Sequence, residues 1–301
     1  MFDAGANEIV SLKSVLRDEW RLIALSSRVK SAISKGIGSC PGFLRKPIWG
    51  MARKRREILY RLDMIFSPQK TTVFCPCCGI KFRSFVEGDY LDRPERFNRD
   101  RYTHTRQDVH CPFCQSMPRH RILASWCADH KTLLQKSKIL YFATEKSMVL
   151  WLKRNKLKYT SADLYKKRDL QLDIQATGLP DESYDVVIAN YVLEHVDDFR
   201  VALRELNRIL TPGGSLICSF PMDLNVELIE EDPNVDTPEE QLRLYGQNDH
   251  KRIFGMHADQ FLEEAGFAVE TIKGEDYPEE ILPVVGPADY DMNILFWCKK
   301  V

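Results

Sequence analysis

One stretch of the chain carries its clearest structural signal: Leu179-Pro-Asp-Glu-Ser-Tyr-Asp-Val-Val-Ile-Ala-Asn-Tyr-Val-Leu-Glu-His-Val196. Within it, residues 184–190 are apolar enough to predict a strand that is buried in a parallel sheet. A helix is predicted next, because residues 199–210 repeat apolar side chains at helical spacing after two aspartates. The breaker Pro212-Gly213-Gly214 is predicted to stop that helix, and residues 215–220 are predicted to form the following strand.

The same alternation of strands and helices extends in both directions along the chain. Further strands are predicted at 138–143, 158–163, 267–272 and 293–298, with a short element near 170–173 and helices around 148–152 and 258–265. Alternation of this kind predicts an α/β fold with a doubly wound, Rossmann-like sheet. Residues 222–256 interrupt the pattern, and we interpret them as an insertion.

Composition excludes several classes of protein. The chain has 301 residues, of which 44% are hydrophobic, a fraction that argues against global disorder, a collagen-like fibre and a small disulfide scaffold. No apolar run approaches the roughly 18 residues of a membrane-spanning helix. Residues Met1 to Val10 lack the basic-then-apolar order of a secretory signal. We therefore expect a cytoplasmic protein.

The net charge of zero conceals an asymmetry along the chain. Residues 1–70 carry a charge of +8, residues 71–136 carry +4, and residues 137–301 carry −12. The first segment is predicted to be helical and basic, with Arg53-Lys-Arg-Arg56 at the start of an amphipathic helix. Such a helix can make peripheral contact with an anionic membrane, although packing of its apolar stripe on the protein itself is the favoured interpretation. Basic and aromatic residues are not interleaved as in proteins that stack bases, so nucleic acid is not the expected partner.

Four of the nine cysteines lie in two pairs, Cys75-Pro-Cys-Cys78 and Cys111-Pro-Phe-Cys114. This spacing allows four thiolates to hold one tetrahedral Zn²⁺ at about 2.3 Å, and four sulfur ligands indicate a structural ion. We therefore predict a zinc-ribbon module over residues 71–132. The Cys-x-x-Cys register favours Cys78 over Cys77 as a ligand, and a redox dithiol or simply buried cysteines are the alternatives. Arg119-His120-Arg121 follows the second pair and is expected either to hold an anionic group or to dock on the acidic part of the chain.

From Lys138 onward, the chain resembles the class I S-adenosylmethionine-dependent methyltransferases, of the methyltransferase type 11 kind. The resemblance is carried by the 179–196 stretch and by Leu206-Asn-Arg-Ile-Leu-Thr-Pro-Gly-Gly214. The cysteine module resembles a bacterial subgroup in which a CPxC…CPxC ribbon precedes such a domain, and that similarity includes Gly246-Gln-Asn-Asp-His-Lys-Arg252. The resemblance to class I methyltransferases implies a methyltransferase domain over residues 133–301, with a seven-stranded sheet whose last strand is antiparallel. It also implies that residues 222–256 form a substrate lid.

The resemblance also implies which residues bind S-adenosyl-L-methionine. Asp163 ends the second strand, where an acid in a doubly wound fold accepts the hydroxyls of a cofactor ribose. Asp173 matches the acidic residue that meets the adenine amino group, and Asn190 ends the fourth strand at the ligand-binding edge. Ala143 and Glu145 occupy the positions of two family glycines. Glu145 is predicted to face the methionine ammonium, and the alternative is a degenerate cofactor site.

Two histidines are candidates for the base that deprotonates the methyl acceptor. His250 lies in the predicted lid, and His195 follows the fourth strand. An unperturbed imidazole has a pKa of about 6.5, which suits proton transfer near neutral pH. A structural hydrogen bond is the alternative for His195, and an ordinary surface position is the alternative for His250. Gln247, Asp249 and Arg252 are predicted to bind and orient the acceptor.

The sequence thus predicts an S-adenosylmethionine-dependent methyltransferase that acts on a small-metabolite, sugar or glycan-type acceptor and contains a structural zinc ribbon. An RNA methyltransferase is the first alternative, because a zinc ribbon also precedes this fold in some of those enzymes. A non-catalytic scaffold that has lost the cofactor is the second, and it is supported only by Ala143 and Glu145.

Overall fold

The structure of the protein is a computed structural model that describes residues 73–85, 110–281 and 293–301. The chain divides into two compact units, Met1–Leu59 and Tyr60–Val301, and every described residue belongs to the second. The predicted basic helical segment 1–70 lies outside the described residues. In the part of the chain that is described, no helix combines the length and apolar character required to cross a membrane.

Strands and helices alternate through most of the described residues. The strands are β1 (Val73–Cys75), β2 (Ile80–Phe82), β3 (Ile139–Phe142), β4 (Thr160–Asp163), β5 (Leu170–Gln171), β6 (Tyr184–Asn190), β7 (Leu210–Ser219), β8 (Ile229–Glu231), β9 (Arg252–Phe254), β10 (Phe267–Lys273) and β11 (Ile294–Lys300). The helices are α1 (Pro118–Asp129), α2 (Lys131–Lys136), α3 (Lys146–Arg154), α4 (Phe199–Ile209), α5 (Pro238–Tyr245) and α6 (Asp259–Glu264).

The central sheet has seven strands in the order β10-β11-β7-β6-β3-β4-β5. Strands β5, β4, β3, β6 and β7 pair in parallel, whereas β11 runs antiparallel to both β7 and β10. This topology confirms the predicted doubly wound sheet with an antiparallel last strand. Strand β6 has the bounds that its apolar run predicted, and Asp198 caps α4 by accepting from the backbone N–H groups of Arg200 and Val201.

The Pro212-Gly213-Gly214 segment has a different structural role from the one predicted. Helix α4 already ends at Ile209, and residues 212–214 lie inside β7, where the pairing with β6 shifts register. Gly213 has a φ of 72°, and a Cβ on Gly214 would lie 2.8 Å from the Thr211 carbonyl oxygen. These glycines therefore permit a bulge in β7 and do not themselves end the helix.

The sheet is covered on both faces by separate hydrophobic clusters. Val187 and Ala189 of β6 belong to the cluster that includes α4, while Val186 and Ile188 belong to the other. Alternate side chains of a strand point to opposite faces, so β6 is buried on both sides. The second cluster also contains residues of the cysteine segments and of α1. The described residues of the predicted zinc module therefore pack into the same core as one face of the sheet.

The predicted insertion, residues 222–256, contains β8, α5 and β9. Strands β8 and β9 form an antiparallel pair. Helix α5 begins at the Thr237 cap, whose hydroxyl accepts from the backbone N–H of Glu240, and ends at Gly246, where φ is 81°. Left-handed glycine is a common helix end, because it lets the chain turn away without a Cβ clash. The chain then returns through residues 247–251 to β9, beside the carboxyl end of β6.

Candidate functional site

The turns after β3 and β6 have an unusual backbone. Ala143 has a φ of 48° and Tyr191 a φ of 57°, a region that residues other than glycine seldom adopt. Backbone hydrogen bonds hold both turns, from Ala143 N–H to the Ala162 carbonyl (2.8 Å) and from Tyr191 N–H to the Ser219 carbonyl (2.7 Å). Ligands of doubly wound sheets bind at this carboxyl edge, and strained backbone is found preferentially at such sites. Ala143 thus adopts the conformation that a glycine would provide.

Asp163 lies at the end of β4, at the same edge of the sheet. Its Oδ1 accepts from the backbone N–H groups of Tyr165 (3.0 Å) and Lys166 (2.8 Å), whereas its Oδ2 accepts no hydrogen bond from the described residues. Asp173, which follows β5, accepts from the backbone N–H of Gln175 at 2.8 Å. Each carboxylate is therefore fixed by its own turn, and Asp163 keeps one oxygen for another partner.

Glu145 precedes α3 and accepts hydrogen bonds from two other parts of the chain. Its Oε1 accepts from Arg119 Nε (3.2 Å), Arg119 Nη2 (3.1 Å) and His120 Nε2 (2.6 Å). Its Oε2 accepts from Asn190 Nδ2 at 2.7 Å. Arg119 and His120 belong to the first turn of α1, just beyond the second cysteine pair. Of the two roles considered for Arg119-His120-Arg121, the structure shows docking of the first two residues on Glu145.

The protonation state of this cluster follows from its hydrogen bonds. The Met117 backbone N–H donates to His120 Nδ1 at 2.8 Å, so the ring hydrogen is on Nε2, which donates to Glu145. Burial lowers the pKa of His120, which is therefore neutral at pH 7. Burial also acts to raise the pKa of Glu145, but the interactions with His120, Arg119 and Asn190 overcome it and lower this pKa to about 2. Since His120 is neutral, Arg119 supplies the charge that offsets Glu145.

Asn190 has both ends of its side-chain amide occupied inside the protein. Its Nδ2 donates to Glu145, and its Oδ1 accepts from the Ser219 hydroxyl. The side chain is almost completely buried. These contacts show that Asn190 helps to orient Glu145, and the direct cofactor contact predicted for Asn190 stays a prediction.

A second polar cluster joins the turn after β6 to the insertion. It consists of Glu194, His195 and His250, whose potential ligand atoms all lie within 4.8 Å of one another. Glu194 is fully buried, and neither of its carboxylate oxygens has a hydrogen-bond partner among the described residues. Its Oε1 lies 3.7 Å from His195 Nε2. Burial raises the pKa of Glu194 to about 8.

Both histidines of this cluster are oriented by backbone carbonyls. His250 Nδ1 lies 3.0 Å from the Tyr245 oxygen, and His195 Nδ1 lies 3.2 Å from the Asp249 oxygen. A carbonyl oxygen only accepts, so each Nδ1 donates and each Nε2 carries a lone pair. Burial lowers the pKa of His195 and lowers that of His250 to about 4. His250 is therefore a weaker base than the near-neutral imidazole that the sequence suggested, and it is not the surface residue of the alternative reading.

Arg252, predicted to bind the acceptor, is buried and bonded within the protein. Its guanidinium donates to the backbone carbonyls of Leu193 (2.9 Å), Val196 (2.6 Å) and Asp197 (2.9 Å), and to the Glu231 carboxylate (2.9 Å). The structure therefore corrects this prediction: Arg252 fastens the insertion to the turn after β6.

The other two predicted acceptor residues lie on the exposed side of His195. Gln247 Nε2 donates to Asp249 Oδ1 at 2.7 Å, and Asp249 Oδ2 lies 3.5 Å from His195 Nδ1. Both side chains remain accessible to a bound molecule. The structure thus places Gln247 and Asp249 beside the histidine pair.

The four paired cysteines converge from two segments of the chain. The Sγ atoms of Cys75 and Cys114 are 3.6 Å apart, and those of Cys78 and Cys111 are 3.8 Å apart. Sulfurs bound at 2.3 Å to a tetrahedral ion would be separated by about 3.8 Å, so the arrangement fits one Zn²⁺. Cys77 is outside this group, and its thiol lies 3.4 Å from the His120 carbonyl. The structure thus selects Cys78 over Cys77 for the group of four.

The sequence did not assign a role to Glu194 or Ser219, and left that of Arg119 open. Glu194 is part of the quoted stretch, but the helical and strand periodicities carry no information about a buried carboxylate in a turn. Its only signal was the position of a polar Glu-His pair directly after a buried strand.

Comparison with known proteins finds similarity to methyltransferases over the strands of the central sheet from β3 into β7. Residues 139–218 match the family described as methyltransferase domain. An uncharacterised methyltransferase of Mycobacterium bovis is 37% identical over 65 residues, which are 22% of this chain and 32% of that protein. The demethylmenaquinone methyltransferase of Listeria monocytogenes is 37% identical over 67 residues, which are 22% of this chain and 28% of that enzyme.

Solved structures similar to this chain include an S-adenosylmethionine-dependent methyltransferase of Mesorhizobium loti (16% identity, TM-score 0.41, 58% of this chain and 97% of that one). Another is the 1,6-didemethyltoxoflavin-N1-methyltransferase of Burkholderia thailandensis (12% identity, TM-score 0.40, 60% of this chain and 78% of that one). The chain spans less than a third of the length of the two curated relatives above. The family match therefore supports a methyltransferase domain that includes residues 139–218, from β3 into β7.

Proposed function

We propose that this protein is an S-adenosylmethionine-dependent methyltransferase with a small-metabolite, sugar or glycan-type acceptor and a structural zinc ion. The observation that carries the proposal is Asp163, whose free Oδ2 lies at the carboxyl edge of the family-matched sheet. In this fold, an acid at the end of the second strand accepts ribose hydroxyls.

The residues at this edge fit the cofactor. Asp163 Oδ2 would accept from the ribose, and Asp173 would face the adenine amino group. Glu145 has four donors, but only one of them is on Oε2, so a second lone pair on that oxygen can accept from the methionine ammonium. The left-handed turn at Ala143 follows the path that glycine gives elsewhere. When bound, the cofactor supplies a methyl group on a cationic sulfur, and the chain aligns the acceptor with it.

The wall for the acceptor is formed by the turn after β6 and the insertion. The exposed side chains of Gln247 and Asp249 stand there beside His195, with polar groups that can hydrogen-bond an acceptor. The lone pair on His195 Nε2 suits removal of a proton from an acceptor hydroxyl or amine, and His250 Nε2 is the more buried alternative. The curated relative that is a demethylmenaquinone methyltransferase supports a small-molecule acceptor over RNA.

The zinc proposal depends on the four sulfur atoms described above. A zinc ion with four sulfur ligands has no open coordination position, so the ion would stabilise the cysteine segments without taking part in methyl transfer. The segments would then hold α1, and with it Arg119 and His120, against Glu145.

Calorimetric titration of the full chain with S-adenosylmethionine tests the cofactor site. Asp163→Asn should weaken binding by about 1.5–3 kcal/mol, which is roughly 10- to 150-fold, because a hydrogen-bonded charge is lost. Asp185→Asn is the matched control: Asp185 lies at the opposite edge of the sheet, where it accepts from the Lys138 N–H, and should leave binding unchanged. No binding to the wild-type protein at millimolar cofactor would favour the scaffold alternative.

A further inference from the structure

We propose that Glu194, His195 and His250 form a binding site for a divalent transition-metal ion, separate from the four-cysteine group. These three residues join the turn after β6 to the end of the insertion, and their candidate ligand atoms lie within 4.8 Å of one another.

The first argument concerns hydrogen-bonding capacity. Each histidine uses Nδ1 to donate to a carbonyl, so His195 Nε2 and His250 Nε2 both present lone pairs. The carboxylate oxygens of Glu194 add further lone pairs. The cluster therefore brings together three groups that can each accept when Glu194 is ionised, and a cation that replaces the carboxyl proton would satisfy all three at once.

The second argument is the burial of Glu194. Its side chain has 0% exposure, so water does not solvate it, and a bound cation would offset the cost of keeping its carboxylate charged there. Lys251 lies next to His250, but its ammonium pairs with Asp197 and its N–H donates to the backbone carbonyl of Glu194. Arg119, a positive charge at the same edge of the sheet, is already offset by Glu145.

The third argument is ligand orientation. Histidines that bind metals usually donate their other ring N–H to a carbonyl or carboxylate, which fixes the tautomer and the plane of the ring. Tyr245 provides that carbonyl for His250, and Asp249 provides it for His195. His195 Nε2 and Glu194 Oε1 are 3.7 Å apart, close to the roughly 3.4 Å between atoms bound at about 2.1 Å to a tetrahedral ion.

The ligand set also limits the identity of the ion. Two imidazoles and one carboxylate suit zinc, iron, cobalt or nickel, whereas magnesium and calcium prefer oxygen ligands alone. Three protein ligands leave at least one position open, in contrast to the closed cysteine site. If the proposed methyltransferase function holds, that position would bind an oxygen of the acceptor and favour its deprotonated form. With the ion bound, the Nε2 lone pairs of His195 and His250 serve as ligands, so the ion would replace either histidine as the group that favours loss of the acceptor proton.

Cobalt(II) titration of the full-length protein tests the site without S-adenosylmethionine. The protein is first treated with a mild chelator, and its remaining metal content is measured. One further equivalent of cobalt should then bind and produce only weak visible bands, because imidazole and carboxylate ligands lack the strong sulfur-to-metal absorption of a cysteine site. Glu194→Gln and His195→Ala should each weaken binding by at least about 10- to 100-fold, the range seen even for partners of ligands.

His257→Ala is the matched control, because His257 is an exposed histidine that directly follows the same insertion. It should leave cobalt binding unchanged. The side chain of His195 is 32% exposed, so its removal leaves the core intact if Glu194→Gln proves unstable. The proposal is overturned if the wild-type protein binds no second ion, or if both variants bind cobalt as tightly as the wild type. Either result leaves cofactor binding at Asp163 unaffected, so the two proposals fail independently.

Discussion

Replacing Glu145 by glutamine should destabilise the protein strongly, although the two side chains have almost the same shape. The substitution removes the charge that offsets Arg119, and both side chains are 18% exposed. Removing one partner of a buried ion pair costs about 3–5 kcal/mol. The new amide can also accept from only one of the two donors. If its oxygen faces His120, its NH₂ group faces Asn190 Nδ2, and if its oxygen faces Asn190, the NH₂ group faces His120 Nε2.

The residual solvent contact of this pair places the expected loss near the lower end of that range, at about 3 kcal/mol. For a compact unit of this size, such a loss lowers the Tm by about 6–12 °C. Thermal and denaturant unfolding of both proteins at pH 7 would measure the difference. Glu275→Gln is the control, because the Lys273–Glu275 pair spans 3.8 Å with side chains 55% and 73% exposed, and exposed pairs contribute at most about 1 kcal/mol.

The same substitution should have a characteristic pH dependence. Folding lowers the pKa of Glu145 to about 2, so its contribution to stability is complete above the unfolded-state pKa of about 4.5. That contribution is lost as the pH falls from 4.5 towards 2, because the carboxyl group of the unfolded chain is protonated first and that of the folded protein only near pH 2. The stability gap between wild type and variant should therefore narrow over this interval. A variant as stable as the wild type at pH 7, or a gap that widens in acid, would refute the reasoning.

Three further predictions concern other parts of the site. Elemental analysis of the purified protein should find zinc, and Cys78→Ser should release it and make residues 73–85 sensitive to proteases; a stable metal-free protein would contradict this. Arg252→Met should reduce stability by about 3 kcal/mol, since four hydrogen bonds fasten the insertion through this guanidinium, and unchanged urea unfolding would count against that role. Once an acceptor is known, replacing the histidine that acts as the base with alanine should lower kcat by about 10²- to 10⁴-fold. Comparison of kcat for His195→Ala and His250→Ala then identifies which histidine is the base.

The sheet could be predicted because its signals are local. The apolar run 184–190 is long enough to form a strand without reference to the rest of the chain, and the structure gives it the predicted bounds. The Cys-x-x-Cys pairs are equally local, and their spacing already places two sulfurs on one side of a turn.

The hydrogen bonds of Glu145 could not be predicted in the same way, because they depend on tertiary packing. His120 lies 25 residues before Glu145, and Asn190 lies 45 residues after it. The sequence placed Glu145 in the turn that follows the first strand of the domain, but it could not reveal that α1 reaches the same edge. For Arg252, a role in binding the acceptor was predicted, and the structure shows a buried side chain bonded to three carbonyls.

The absence of glycine after β3 therefore takes on a different meaning in the structure. Glycine is favoured at such a turn because it adopts positive φ at little cost, and Ala143 adopts a φ of 48° at a cost of about 1–3 kcal/mol. The bonds of Glu145 to Arg119, His120 and Asn190 tie the next residues to α1 and β6, and can offset that cost. Since the backbone path is retained by these contacts, the substitution of both glycines is by itself weak support for a lost cofactor site.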